Sequence, residues 1–364
     1  MKSKSSKENS SEQKGVESVR NTNSEAIEHL KKKRQHKPRI DHLFNRITQG
    51  DRTALSRGIT LIESQKSNDR KLANELISRC LEYSKDKFSI RVGITGVPGV
   101  GKSTFIESLG KHLLRDEKKI AILAVDPSSI VSKGSILGDK TRMISLVQHQ
   151  NVFIRPSASG STLGGVSRNT REAITLCEAA GFSNILIETV GVGQSEIEVS
   201  EMVDFVLLLK LAGAGDELQG IKRGVIEMAD SILINKADGD NLKAAKMAKT
   251  EFKNALHLYA KKSSGWMPKV QLCSATEESG IAEAWQLVEA YVSLTKSNGF
   301  FNRKRENQNV SLLRKTIENQ LKSSFFNHPL IESHLNEQNH LVKQGKISPF
   351  QAAQHLLELY KSSL

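Results

Sequence analysis

The chain has 364 residues, 38% of them hydrophobic, enough to bury a substantial core and to form one main domain with extensions. Its 53 Lys and Arg outnumber 40 Asp and Glu, a formal charge of +13, and no stretch approaches the roughly 18 unbroken apolar residues of a membrane span. Three isolated cysteines, Cys80, Cys177 and Cys273, argue against a disulfide framework or a cysteine metal cluster, so the expected setting is reducing and cytoplasmic, with no membrane partner.

The charge is unevenly placed. Residues 1–40 carry 11 Lys and Arg against 5 Glu, and residues 296–364 carry 10 against 5, which leaves the stretch between them nearly neutral. Residues 1–40 are rich in Ser, Lys, Glu and Asn, too polar to offset chain entropy by burial, and are expected to form a disordered basic tail. The run Lys31–Arg34 reads as a solvated segment rather than a nucleic-acid contact. In residues 41–87, Leu55, Ile59 and Ile62, then Ala73, Leu76, Ile77, Cys80 and Leu81, recur at helical spacing. That predicts an N-terminal segment of two or three amphipathic helices packed on the next domain.

From residue 88 to 295 short apolar runs alternate with helical patterns, the signature of an α/β domain with a mostly parallel sheet flanked by helices. The predicted strands are Ile90–Thr95, Ile120–Val125, Val152–Ile154, Ile185–Glu188, Phe205–Leu209, Ile232–Ile234 and Val270–Cys273. Residues 296–364 return to helices with polar connections. Val310–Leu321 and Ser348–Tyr360 are predicted helical, the second with Ser348 as N-cap and Pro349 at the first helical position. Such an arm could cover the core or reach a second subunit.

The motifs follow the strands. After the first comes Gly96-Val97-Pro98-Gly99-Val100-Gly101-Lys102-Ser103-Thr104, which fits G-x-x-x-x-G-K-[ST] and precedes a helix predicted over Thr104–Leu114. Glycines let backbone N–H groups turn onto a polyphosphate, Lys102 brings a point charge to the β- and γ-phosphates, and the Ser103 hydroxyl suits Mg²⁺. A helix N-terminus adds its dipole. The sixth strand leads into Asn235-Lys236-Ala237-Asp238. The Asp238 carboxylate suits guanine's adjacent N1–H and N2 donors, which adenine does not offer together, while the Lys236 stem can cover the ring. Ser274, Ala275 and Thr276 follow the last strand as a further guanine-contacting loop.

Glu188, closing the fourth strand, with Gly191 three residues on, fits a γ-phosphate sensor. Asp126 and Asp139 are additional magnesium candidates, although each could simply cap a helix. The expected catalytic set is Lys102, Asp126 and Glu188, and the expected metal set is Ser103, Asp126, Asp139 and Glu188. No glutamine or arginine stands out for fast hydrolysis, so slow, partner-stimulated turnover is expected.

Longer runs carry a family likeness: Val125-Asp126-Pro127-Ser128-Ser129, Leu137-Gly138-Asp139-Lys140-Thr141-Arg142-Met143, Ile154-Arg155-Pro156-Ser157, Glu188-Thr189-Val190-Gly191-Val192-Gly193-Gln194-Ser195 and Gly215-Asp216-Glu217-Leu218-Gln219-Gly220-Ile221-Lys222. Together with the phosphate loop they resemble the methylmalonyl-CoA mutase-associated G-protein chaperones of the MeaB/ArgK type, clearly over residues 45–295. The resemblance implies a P-loop NTPase fold, GTP and GDP as ligands with Mg²⁺, and a homodimer supported by the C-terminal helical arm. It further implies an adenosylcobalamin-dependent acyl-CoA mutase as partner, with cobalamin reached only through that partner. Gln219 and Lys222 match the segment that couples nucleotide state to the mutase. Two other functions stay open. A nickel-delivery GTPase would carry a His-rich tract, whereas the ten His here are dispersed; a kinase serving basic amino-acid transport would need a phosphoacceptor.

Overall fold

A computed structural model describes residues 40–64, 66–125, 143–156, 163–189, 195–212 and 223–363. Among these residues three helices come first, α1 Ile40–Thr48, α2 Arg52–Ile62 and α3 Ser67–Ser84. Strand β1, Ile90–Gly96, is followed by α4, Lys102–Leu114, then β2, Ile120–Val125, α5, Ile144–Val147, and β3, Val152–Arg155. Next come α6, Leu163–Ala179, β4, Asn184–Thr189, α7, Ser195–Ser200, β5, Phe205–Leu211, and α8, Arg223–Met228. The sheet closes with β6, Ser231–Asn235, α9, Leu242–Leu256, and β7, Lys269–Leu272. Four helices end the chain: α10 Ile281–Ser297, α11 Phe300–Phe326, α12 Pro329–Lys343 and α13 Pro349–Ser362.

The seven strands form one parallel sheet in the order β3-β2-β4-β1-β5-β6-β7. A parallel sheet is covered on both faces, which is why its strands read as unbroken apolar runs. In β4, buried throughout, Ile185 and Ile187 join Leu55, Ile59, Leu76 and Cys80 of the N-terminal helices, while Leu186 joins Phe105, Ile106 and Leu109 of α4. The period of two along a strand thus sorts side chains into two cores. The chain leaves β1 toward β2 and leaves β5 toward β6, on opposite sides of the sheet. Ligands of such sheets collect beyond the carboxyl ends of the strands at this reversal.

All seven predicted strands are present, Ile120–Val125 with the predicted ends and the others with ends shifted by no more than two residues. Among the described residues three helices precede β1, and Asp51 caps α2 by accepting from Thr53 N and Ala54 N. In the arm, α11 extends well beyond the predicted Val310–Leu321. Ser348 caps α13 in a capping box with Gln351, behind Pro349. Helix α12 was not predicted. Its Glu, Asn, Gln and His residues mask the apolar stripe, although Pro329 at its first turn is a start signal.

The arm is fastened to the sheet end opposite the phosphate loop. Arg305 of α11 pairs with buried Asp204, Lys304 donates to Asp204 O at 2.7 Å, and Gln308 Nε2 donates to Val203 O at 2.8 Å. Nearby, Arg91 makes a double hydrogen bond to Glu178 at 2.8 and 2.9 Å.

Candidate nucleotide-binding site

Strand β1 ends in the predicted phosphate loop, and α4 begins at Lys102, so Lys102 and Ser103 lie on its first turn. Gly101 forms the turn into the helix with φ 93°, a left-handed conformation that glycine adopts without strain. A Cβ there would stand 2.7 Å from Asn235 Nδ2. Only glycine lets the loop and the Asn-Lys-x-Asp segment lie this close.

Asn235, 1% exposed, is the bracket between them. Its Nδ2 donates to Val100 O at 2.8 Å, and its Oδ1 accepts from Ala275 N at 3.3 Å and from Cys273 Sγ at 3.5 Å. One side chain therefore ties the phosphate loop, the end of β6 and the Ser274–Thr276 loop together.

Lys236 has φ 57° and an exposed side chain, and its carbonyl accepts from Asn241 Nδ2 at 2.6 Å. Asp238 accepts from the Ser274 hydroxyl, which also lies 3.1 Å from Thr276 Oγ1. Ala237 N donates to Cys273 O at 3.0 Å, and Ser274 exchanges backbone hydrogen bonds with Ser279. Asp238, Ser274, Ala275 and Thr276 are thus one cluster beside the phosphate loop.

Lys102 Nζ donates to Gly96 O at 2.8 Å and Val97 O at 3.1 Å. Burial holds its pKa below the usual lysine value, opposed by the charges of Glu188 and Glu196. Ser103 Oγ donates to Glu188 Oε1 at 3.1 Å. The two oxygens are hard donors of the kind Mg²⁺ takes, an ion that binds one or two protein oxygens along with phosphate and water. Among the described residues no group of three or more His, Cys, Asp and Glu could hold a metal unaided. Asp126, Asp139, Gly191, Gln219 and Lys222 lie outside the described residues.

Two features escaped sequence reasoning. Thr189 Oγ1 donates to Thr95 Oγ1 at 2.9 Å, joining the ends of β4 and β1 beneath the site. Ser108 of α4 donates to Ala275 O at 2.5 Å. A serine among Phe105, Ile106 and Leu109 was the available sign of the second.

Residues 55–329 match the family described as methylmalonyl-CoA mutase-associated GTPase MeaB. The chain belongs to this family. A Mycobacterium tuberculosis protein named "Probable GTPase" is 47% identical over 320 residues, covering 88% of this chain and 95% of its own length. The mouse protein named methylmalonic aciduria type A homolog, mitochondrial, is 45% identical over 332 residues, 89% of this chain and 80% of its own. A crystal structure described as a LAO/AO transport system kinase superposes with TM-score 0.71 at 35% identity, covering 88% of this chain and 97% of that one. This MeaB-family chain is therefore a P-loop GTPase, with GTP and GDP as its nucleotides. No helix among its described residues is long and apolar enough to cross a membrane.

Proposed function

We propose that this GTPase guards an adenosylcobalamin-dependent acyl-CoA mutase, its nucleotide state gating cofactor loading and removal of inactivated cofactor. The observation that carries the proposal is the bracketing of phosphate loop and guanine loop by Asn235, in a chain whose family bears the mutase's name. In this reading the loop Gly96–Thr104 cradles the phosphates and Lys102 neutralises charge on the β/γ oxygens as the bond to the leaving phosphate breaks. Ser103 and Glu188, with Asp126 and Asp139, would hold Mg²⁺, which supplies further neutralisation of the triphosphate. Asp238 selects guanine, aided by the loop Ser274–Thr276. Gly191 senses the γ-phosphate. Hydrolysis is slow until the mutase binds, and cobalamin is met only through that partner.

The arm supports a homodimer. Val310, Leu313, Ile317 and Leu321 are exposed at spacings of three and four along α11, an apolar stripe of the kind a second copy covers. Sedimentation of the native chain and of Leu313→Asp/Ile317→Asp tests this; a monomeric native protein overturns it.

The deciding experiment is GTPase rate with and without the mutase, for the native chain and for Gln219→Ala and Lys222→Ala. The proposal expects stimulation by the mutase, lost in both variants. No stimulation of the native chain overturns it. Parallel loss of basal and stimulated rates would place Gln219 and Lys222 in the catalytic site.

A further inference from the structure

Ser108 is 5% exposed, on a helix whose Phe105, Ile106 and Leu109 are fully buried. A hydroxyl in such surroundings is costly unless it is hydrogen-bonded. A helix serine commonly satisfies itself on its own preceding turn. This one instead sends its proton across to Ala275 O, at 2.5 Å.

The acceptor is significant because Ala275 is pinned on its other side too, its N–H on Asn235 Oδ1 at 3.3 Å. Asn235 in turn holds Val100 O of the phosphate loop at 2.8 Å. The helix carrying Ser108 begins with Lys102 and Ser103. Two rigid links thus run from the phosphate cradle to the same residue of the guanine loop, one through Asn235 and one through α4 and Ser108. The loop is closed behind by the Ser274–Ser279 bridge and by the tight turn at Gly280. The distance of the Ala275–Thr276 edge from the cradle is bounded by these two links, Asn235 on the N–H of Ala275 and Ser108 on its carbonyl.

We propose that Ser108 is a positioning residue for guanine selection, holding the Ala275 edge so that base and phosphates are read in one rigid site. The proposal rests on the reading of Asp238 and the Ser274–Thr276 loop as the guanine reader. A loop released from Ser108 still closes on itself, but it samples positions in which the base edge is unmatched. Loss of the bond therefore weakens nucleotides held by base and phosphates together and spares those held by phosphates alone.

The test measures GDP and ADP affinity of the full chain for the native protein, Ser108→Ala and Ser108→Cys, alongside melting temperature. Cysteine is somewhat larger than serine and donates only weakly, so it fills the site and covers the case in which alanine prevents folding. The proposal expects GDP affinity to fall about tenfold in Ser108→Ala and less in Ser108→Cys, with ADP affinity held, so that the GDP/ADP ratio narrows. An unchanged ratio, whether both affinities fall together or only the melting temperature drops, assigns Ser108 to packing and overturns the proposal. Asp238→Asn is run in parallel with xanthosine diphosphate. If it leaves base preference unchanged, the guanine reading itself fails and the proposal with it, whatever Ser108→Ala does.

Discussion

Arg305 of the arm grips Asp204, the residue before β5, with two hydrogen bonds: Nε to Oδ1 at 2.8 Å and Nη2 to Oδ2 at 2.6 Å. Asp204 is 1% exposed and also accepts from Arg91 N at 2.8 Å. Removing one partner of such a pair strands a buried charge, so Arg305→Ala is expected to cost about 3–5 kcal/mol. Denaturant melts followed by fluorescence of the two tryptophans measure it.

The same pair sets an acid limit. Burial pushes the Asp204 carboxyl up, but hydrogen bonds and charge from Arg305, with Arg91, outweigh it and hold the pKa below the usual carboxylate value. A carboxylate depressed in the folded state adds stability that is fully present above its unfolded pKa and is lost as pH falls through the folded one. Stability from this pair should therefore fade below about pH 4. Asp204→Asn should flatten that acid limb in pH-dependent melts. An unchanged limb would assign acid unfolding to other carboxylates.

Gly280, at φ 72°, turns the Ser274–Ser279 loop into α10, and a Cβ there would meet Leu272 O at 2.3 Å. The obstacle is backbone and cannot swing away. Gly280→Ala should lower stability by at least about 1–3 kcal/mol and speed GDP release, because the Ser274–Ser279 bridge moves with it. Stopped-flow release of a fluorescent GDP reads the second effect. Normal release from a folded variant would show that the loop tolerates the shift.

Asn235→Ala leaves Val100 O and Ala275 N without their partner. Unsatisfied buried groups of this kind cost about 1–3 kcal/mol each, and the cost falls on both halves of the site at once. Weaker binding of GTP and GDP by similar factors is expected in calorimetric titration. A defect confined to GTP would instead make Asn235 a γ-phosphate residue.

Lys102→Ala should abolish most hydrolysis and weaken GTP more than GDP, since the lost charge serves the β- and γ-oxygens. Glu188→Gln should spare GDP binding while raising the Mg²⁺ concentration needed for turnover, if Ser103 and Glu188, hydrogen-bonded at 3.1 Å, hold the ion as proposed. Magnesium titrations of the GTPase rate check both. An unshifted magnesium requirement in Glu188→Gln moves the metal role to Asp126 or Asp139.

The sequence by itself determined the seven strands, the phosphate loop and the Asn-Lys-x-Asp motif. Each is a local signal: an unbroken apolar run, glycines where side chains would block a phosphate, an acid placed after a strand. The Ser348 cap of α13 was legible for the same reason, since the bonds concerned span only three residues. Strand order was not legible, because a parallel crossover joins neighbours and non-neighbours through similar helices. Helix α12 was hidden by its polar composition, with Ile331 and Gln338 its buried residues. Contacts between distant residues were decided by tertiary structure alone: Asn235 with Val100, Ser108 with Ala275, Thr95 with Thr189, Arg305 with Asp204. Each joins positions some 90 or more residues apart, where nothing in local spacing sets the pairing. The parallel register places the carboxyl ends of β1, β4, β6 and β7 at one end of the sheet, which brings the first three pairs together, while Arg305 meets Asp204 at the opposite end, before β5.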